Sequence, residues 1–247
     1  MKRAMLAVLL VLVLAVPAFA GNDITLPSGF TQEQFKNFSR DFGLAISYVP
    51  LATAEPLGDK LPGFDIGVEM TGVQIDKGTD YWAAIQSVSP DNIPSTLPFP
   101  KIHAQVGLPF IPIDFGVVYS NIPSTDISYI GYEIKYAILK GGVATPALAI
   151  RGAYTKLSGV DDVDISTKYA DLSISKGFAI FTPYAGYAMV WIDSKEKSPV
   201  VTLQDESLTE GKLFVGCKIT FFPLMNLVVE ADFAQVNSYS ARLNLHF

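Results

Sequence analysis

The sequence predicts an all-β protein: an antiparallel transmembrane β-barrel of about 10–12 strands, preceded by a short N-terminal helix. Hydrophobic residues make up 49% of the 247 residues and charged residues only 17%, whereas about a quarter of a typical soluble domain is charged. The apolar residues are spread over short segments in which apolar and polar positions alternate. Past position 20, no apolar run reaches the roughly 18 residues that a membrane-spanning helix needs.

Residues 1–20 have the features of a secretory signal peptide. Lys2 and Arg3 precede an apolar run over residues 4–16, and small residues lead to a cleavage site after Ala20. The apolar run is too short to span a bilayer, which takes roughly 20 helical residues. We therefore expect residues 1–20 to be removed during export.

The next segment, residues 21–41, breaks the strand pattern and is predicted to contain a helix. Thr31 can cap this helix, with Gln34 at the capping-box position. Phe35 and Phe38 share one helical face. Two placements fit this segment: a periplasmic cap that seals the end of the barrel, or a plug inside the lumen with Phe35 and Phe38 as its candidate residues.

Residues 42–247 are predicted to form the barrel. A representative strand sets Phe64, Ile66, Val68 and Met70 against polar or small neighbours. Such alternation places one face of a sheet in an apolar medium and the other in a polar one. A soluble β-sandwich alternates as well, but charges at mid-strand and segments of about 9–11 residues favour a membrane barrel.

Eleven candidate strands are read from this pattern, with starts near 42, 64, 99, 113, 128, 147, 165, 178, 212, 226 and 239. Bacterial single-chain barrels have an even number of strands, so one strand before residue 99 is miscounted. Counting back from a periplasmic C-terminus makes the short connections periplasmic and the long ones external.

Residues 81–85 in the longest external loop suggest a short helix. Residues 165–192 are hard to phase, because Lys168 and Asp171 cannot both face the lumen without a bulge.

The polar faces of the well-phased strands assign thirteen side chains to the lumen. They are Asp65, Glu69, Lys101, His103, Asp114, Glu133, Lys135, Arg151, Lys212, Lys218, Glu230, Asp232 and Arg242. Six cations and six anions stand in this set beside one histidine, whereas a steeply selective pore uses rings of one sign. The balance favours ion pairs across a narrow interior over substrate selection.

Several kinds of chemistry are disfavoured by composition and motif. A net charge of −6 and a pI near 4.9 argue against nucleic-acid binding. With two histidines and one cysteine, the sequence has no metal-binding motif, so we expect neither a metal nor a cofactor. No serine stands at a diagnostic spacing from His103, and we predict that the protein is not an enzyme.

The C-terminal segment, Ser240–Phe247, is an alternating strand that ends in an aromatic residue. It resembles the assembly signal of bacterial outer-membrane proteins, with Phe247 as the terminal aromatic. This resemblance implies two partners, outer-membrane lipid and the barrel-assembly machinery, and a location in the bacterial outer membrane.

The chain as a whole resembles a family of Gram-negative outer-membrane barrels of unknown function, and more loosely the fatty-acid channel barrels. The resembling stretches are PGFDIGVE (62–69), PSTLPFPK (94–101), GYEIKYAIL (131–139), AIRGAYTKLSGVDDVDIST (149–167), residues 175–178 and TPYAG (182–186). The resemblance implies outer-membrane placement but no catalytic or ligand-binding residues.

Together these patterns favour a passive channel for small or partly apolar solutes. The alternative is a non-conducting structural barrel, or one that acts through its external loops, residues 74–98 and 193–211. A lumen free of plug residues would predict conductance, and a packed lumen with Phe35 and Phe38 inside would predict none.

Overall fold

A computed structural model describes residues 24–89, 92–122 and 125–247. The predicted signal peptide, 1–20, and the start of the predicted cap or plug segment, 21–23, lie outside the described residues. Two helices occur in the described part of the chain: α1 (Gln32–Ile46) and α2 (Asp80–Val88). Neither is long and apolar enough to cross a membrane.

Ten antiparallel strands form a closed barrel in which β1 pairs with both β2 and β10. The strands are β1 (Gly63–Gln74), β2 (Thr96–Gly107), β3 (Ile113–Asn121), β4 (Ser128–Lys140), β5 (Ala147–Ser158), β6 (Val163–Ser175), β7 (Phe181–Glu196), β8 (Glu206–Phe222), β9 (Met225–Phe233) and β10 (Ser238–His246). The predicted fold class is therefore confirmed. Closure leaves no sheet edge unpaired, as a strand-built membrane protein requires.

The predicted strand near residue 42 is wrong, and it is the one that made the count odd. Helix α1 continues to Ile46, and residues 48–62 follow without regular structure. Every residue from 41 to 50 is buried, so the sequence there carries no contrast between an exposed and a buried side. Without that contrast, a helix inside the barrel cannot be distinguished from a strand by periodicity.

The two ends of the barrel differ in the connections that they carry. Because the number of strands is even, β1 begins and β10 ends at the same end of the barrel. At the short-turn end, four tight connections join the strands: residues 108–112, 141–146, 176–180 and 223–224. The long-loop end carries the other five connections: residues 75–95, 122–127, 159–162, 197–205 and 234–237. The predicted asymmetry is carried by the two longest connections, 75–95 and 197–205, whereas 159–162 and 234–237 are as short as the turns at the other end.

The outer face of the barrel is an exposed apolar belt. Its middle is formed by aliphatic side chains, including Ile66, Ile102, Ile134, Ile150, Leu172 and Leu213. Exposed aromatic side chains flank it toward the short-turn end (Phe64, Phe178, Phe181, Phe221 and Phe247) and toward the long-loop end (Tyr119, Tyr154, Trp191 and Tyr239). A belt bounded by aromatic girdles is typical of barrels that stand in a bilayer.

The region that the sequence left unphased is regular. Strand β6 pairs with β5 and β7 in continuous register, with Asp171 buried inside and Lys168 exposed outside. The register shifts lie elsewhere, at residues 137–139 of β4 and 220–222 of β8. No bulge is needed in β6 because residues three positions apart face opposite sides of a strand.

The predicted N-terminal helix is confirmed, with its capping box. The Thr31 hydroxyl accepts from the backbone N–H of Gln34, and the backbone N–H of Thr31 donates to the Gln34 side chain. The reciprocal pair satisfies two of the backbone groups that are otherwise left without partners at a helix start. The short helix predicted over residues 81–85 is confirmed as α2.

Candidate functional site

The interior of the barrel is lined with charged side chains from nearly every strand. Twelve of the thirteen side chains assigned to the polar face are at most 5% exposed, namely Asp65, Glu69, Lys101, His103, Asp114, Glu133, Lys135, Arg151, Lys212, Glu230, Asp232 and Arg242. Lys218 lies toward the short-turn end and its side chain is 28% exposed. All of them occupy inward positions, since they alternate with exposed residues on the same strands.

His103, on β2, lies at the centre of a buried polar cluster. Arg242 Nη1 lies 2.8 Å from His103 Nδ1, and Tyr48 Oη lies 2.8 Å from Nε2. A guanidinium can only donate, so Nδ1 accepts and Nε2 donates its proton to Tyr48. Glu69 adds a carboxylate oxygen 3.3 Å from Nδ1 and binds Lys101 at 2.8 Å.

A second set of charges runs across neighbouring strands β4, β5 and β6. Arg151 lies between two carboxylates, with Nη1 3.1 Å from Glu133 and Nε 3.4 Å from Asp171. The Glu133 carboxylate also accepts from the amide of Gln105. Asp171 is a member of the cluster that sequence reasoning left unassigned, because its strand was not phased.

Most of the remaining lumen charges are also paired across strands, whereas Lys218 lies 3.6 Å from Glu55 and Glu230 accepts from the Tyr184 hydroxyl at 2.6 Å. Lys135 Nζ lies 2.9 Å from Asp114, and Arg242 Nη2 lies 3.2 Å from Asp65. Lys212 Nζ lies 3.5 Å from Asp232. Because each described lumen cation has a carboxylate within reach, no ring of one sign lines the described interior.

Residues 24–62 run through the lumen from one end to the other. At the long-loop end, the backbone N–H of Leu26 donates to Asp162 at 2.8 Å. At the short-turn end, the backbone N–H of Leu57 donates to Asp114 at 3.1 Å. We call residues 24–62 the closing segment. It enters at the long-loop end, so a helix sealing the short-turn end, the first of the two predicted placements, is not what the structure shows.

Helix α1 occupies the half of the lumen nearest the long loops. Phe35 and Phe38 are at most 1% exposed, and Phe38 packs against Trp82 of α2 with ring centroids 5.5 Å apart. A Cβ added at Gly43 would lie 2.4 Å from Ile192 on β7, so glycine permits the close approach of the helix to the wall. Sequence reasoning named both phenylalanines as plug candidates, and the structure places them inside.

Asp41 joins the two helices. Its carboxylate accepts from the Tyr81 hydroxyl at 2.8 Å and from the Trp82 indole N–H at 3.0 Å. Burial raises the pKa of Asp41, and burial together with the hydrogen bond to Asp41 raises the pKa of Tyr81 to about 12. Helix α1 is further tied to the wall by Ser39, whose Oγ lies 2.9 Å from Ser194 Oγ on β7.

The rest of the closing segment, residues 48–57, crosses the other half of the lumen in an irregular conformation. Its backbone groups bind lumen side chains in place of a strand partner. The bonds join Lys212 to Tyr48 O (2.8 Å), Leu51 N to Glu230 (3.0 Å), Lys135 to Thr53 O (3.1 Å) and Glu55 O (2.8 Å), and Ala54 N to Ser175 Oγ (3.1 Å). Lumen charges therefore satisfy the backbone of a segment that has no secondary structure of its own.

Little space is left beside this segment. A cavity of about 20 Å³ lies near the short-turn end, between residues 51–57 and the wall at Lys135, Lys218 and Arg242. That volume holds about one water molecule. With α1 above and residues 48–57 below, twelve of the charged wall side chains are at most 5% exposed, so the described wall is covered along the lumen.

Sequence reasoning missed the role of residues 48–57 and of Asp41. Residues 48–52, YVPLA, include no charged side chain, and their bonds to the wall are made largely by backbone groups that every sequence shares. Asp41 carried one usable signal, since it is the acidic residue of an otherwise apolar stretch from 41 to 46.

At the short-turn end, Phe247 completes the seam between the first and last strands. Its backbone N–H and C=O bond to Phe64 at 2.9 and 2.6 Å, and the two rings stack with centroids 5.7 Å apart. Phe247, the terminal aromatic residue of the predicted assembly signal, thus extends the β1–β10 pairing that closes the barrel.

No protein-family model matches the sequence, and no curated protein sequence matches it either. Solved structures of similar architecture include neisserial surface protein A, with 8% identity over 75% of this chain and 95% of that one and a TM-score of 0.31. The outer membrane protease OmpT from Escherichia coli has 10% identity over 75% and 96%, with a TM-score of 0.35. Ail, the attachment invasion locus protein of Yersinia pestis, has 11% identity over 75% and 97%, with a TM-score of 0.23.

These neighbours are Gram-negative outer-membrane β-barrels, the class that the sequence resemblance named. Similarity this distant carries no argument about what the chain does. The barrel itself is established by its own strand pairing, in which ten strands close through β1 and β10.

Proposed function

We propose that this protein is a barrel of the bacterial outer membrane whose lumen is closed at rest by its N-terminal segment. The apolar belt and its two aromatic girdles support membrane placement, because such a surface is costly in water. The short turns then face the periplasm and the long loops face outward. In this orientation the closing segment enters the barrel from the cell exterior.

One observation carries the closed state: residues 32–57 of the closing segment occupy the lumen along its length. The two halves of this segment leave a cavity of about 20 Å³ near the short-turn end, too small for a solute larger than water. The protein at rest is then a non-conducting barrel, the alternative that the sequence left open. We propose no enzymatic activity, because His103 is fully buried and enclosed by Tyr48, Glu69 and Arg242.

A second candidate, a channel that opens when the closing segment moves, is favoured by the chemistry of the wall. Buried ion pairs stabilise a protein little compared with apolar packing of the same volume. In a permanently closed barrel, apolar packing could replace those of the twelve buried titratable side chains that do not bind the closing segment. The same side chains would be well solvated if the segment left and water entered, and small solutes could then pass.

The experiment is single-channel conductance of the refolded chain without residues 1–20, with the closing segment locked or removed. The lock is a disulfide made by Ser39→Cys with Ser194→Cys, since the two native oxygens lie 2.9 Å apart. Cys217→Ser removes the native thiol in every sample. A further variant lacks residues 21–57, and a heat-dependent shift on gels verifies that each barrel is folded.

The closed-barrel proposal predicts no conductance steps for the oxidised lock and clear steps for the deletion. Equal steps in both would refute it, because solutes would then pass a lumen that still contains the segment. Occasional steps that appear on reduction and vanish on oxidation would support the second candidate. Silence after reduction would leave a permanently closed structural barrel.

A further inference from the structure

The outer face of the barrel has a groove over strands β4, β5 and β6. It measures about 530 Å³ and is walled by Ile134, Tyr136 and Ile150. Gly152 and Ala170, which are paired across β5 and β6, form its floor. The groove lies within the apolar belt, so its walls contact lipid in the proposed membrane orientation.

The groove exists because two small residues interrupt a belt of bulky ones. A Cβ added at Gly152 would meet a single neighbouring atom within 4 Å, Ile134 Cγ2 at 4.0 Å. The outward residues on either side of Gly152 along β5, Ile150 and Tyr154, are large and exposed. The walls of the depression are apolar, as a site for a hydrocarbon chain requires, and nothing in the described protein fills it.

Lysine side chains follow directly toward the long-loop end. Lys168 is the next outward residue after Ala170 on β6, and its side chain is 64% exposed. It stands between Tyr154 and Trp191, its partners on β5 and β7. Lys156 follows Tyr154 on β5 and is also exposed.

These charges are confined to one part of the circumference. Charged outward positions near the long-loop end lie on β5, β6 and β7, where Asp164, Asp193 and the exposed Lys195 accompany Lys156 and Lys168. Among the described residues, the outward positions near the long-loop end of the remaining strands are uncharged: Gly72 and Gln74 on β1, Thr96 and Pro98 on β2, Tyr119 and Asn121 on β3, Ser128 and Ile130 on β4, Ser207 and Thr209 on β8, Phe233 on β9 and Tyr239 on β10. The lysines are therefore clustered on and beside the strands that form the groove.

We infer that the groove and these lysines form one site for a phosphorylated lipid of the outer leaflet. One acyl chain lies over Gly152 and Ala170, and a headgroup phosphate binds Lys156 and Lys168. The aromatic rings of Tyr154 and Trp191 stand at the boundary between the two parts, where amphipathic rings are favoured. The inference rests on the membrane placement proposed above, but not on the closed lumen.

Asp193 competes with a headgroup phosphate for the Lys168 ammonium group. Its carboxylate lies 3.1 Å from Lys168 Nζ and also accepts from Ser207 at 2.9 Å. A phosphate must therefore share Lys168 with this carboxylate or displace it. Removing the charge of Asp193 should strengthen binding, an effect that unspecific lipid adhesion to the belt would not show.

The test measures binding of bisphosphorylated lipid A to the refolded chain without residues 1–20, in detergent micelles, by native mass spectrometry. Gly152→Leu fills the groove, and Ala104→Leu places the same side chain on the outer face of β2 as its control. Lys156→Gln removes a cation at the site, and Lys140→Gln removes an exposed lysine at the short-turn end as its control. Asp193→Asn removes the competing carboxylate.

The wild-type protein should bind lipid A at least ten-fold more tightly than phosphatidylcholine. A lysine near an anionic lipid surface contributes about a five-fold change in affinity, so Lys156→Gln should lose about that factor and Asp193→Asn should gain a similar one. Gly152→Leu should weaken binding, and both controls should leave it unchanged.

Equal affinity for the two lipids would overturn the inference, as would equal losses in the site variants and their controls. The heat-dependent gel shift shows for each variant whether the barrel is folded, and Asp193→Asn, a conservative surface change, keeps the test available if Gly152→Leu does not fold. Conductance reports on the lumen alone. Loss of lipid binding in a protein that still does not conduct would therefore refute the lipid site and leave the closed-barrel proposal standing.

Discussion

The two halves of the closing segment are held in the barrel by different forces. Helix α1 packs by apolar contact, with Phe35, Phe38 and Phe42 buried against the wall and α2. Residues 48–57 bury fewer large side chains, such as Leu51, and are held in addition by hydrogen bonds between their backbone and charged wall residues such as Lys135 and Glu230. Apolar burial thus predominates at the long-loop end, and hydrogen bonds from the wall to the backbone of the segment are concentrated at the short-turn end.

This difference indicates how the segment could move. Apolar burial is lost entirely when a helix leaves its site, because water does not replace the contacts. Hydrogen bonds to the wall can be exchanged for hydrogen bonds to water at a modest net cost. Helix α1 is therefore the part whose release should cost most, and residues 48–57 are the part that can yield first.

The largest effect is expected for Phe38→Ala, which removes a ring packed between Phe42 and Trp82. Truncating a buried phenylalanine costs about 3–5 kcal/mol of stability. Here we expect the free energy of docking α1 in the lumen to weaken by that amount. Urea titration followed by Trp82 fluorescence, in a Trp191→Phe background, measures the release. Phe115→Ala on the outer face is the control and should leave the Trp82 transition in place. An unchanged midpoint for Phe38→Ala would show that apolar packing does not hold the helix.

A smaller effect is expected for Tyr48→Phe at the junction between the two halves. The change leaves the buried N–H of His103 without its acceptor, which costs about 1–3 kcal/mol. Hydrogen exchange of the amides of Leu51 and Leu57 should become faster, while that of α1 should change less. Tyr132→Phe, on the exposed face of β4, is the matched control. Equal acceleration in both halves would mean that they move as one unit.

The smallest effect is a pH dependence at the joint between α1 and α2. Burial raises the pKa of Asp41 above its ordinary value of 3.8, so the docked state binds a proton over a pH range in which the free carboxyl is ionised. Docking should therefore strengthen as the pH falls through the docked pKa toward 3.8, and weaken as the pH rises. The Trp82 transition measured from pH 4 to 7 should show this trend, and Asp41→Asn should abolish it.

Much of the barrel wall was predictable because strand alternation reports directly on two media. The predicted starts near 64, 113, 128 and 147 lie within one residue of the observed strands. The pattern weakens where it has no contrast, as in the buried residues 41–50, and the false strand near 42 arises there. Of the lumen charges, Asp171 escaped because its phase depended on β6, which carries polar residues on both faces.

The sequence by itself determined the class of the fold, the identity of the outward and inward faces, and the capped N-terminal helix. Each of these follows from local periodicity or from a motif of a few residues. Only the tertiary structure decided that the lumen is closed, since this depends on where residues 24–62 go after the barrel forms. The groove over Gly152 and Ala170 likewise could not be predicted from the sequence. It arises because the register between β5 and β6 makes these two small residues neighbours.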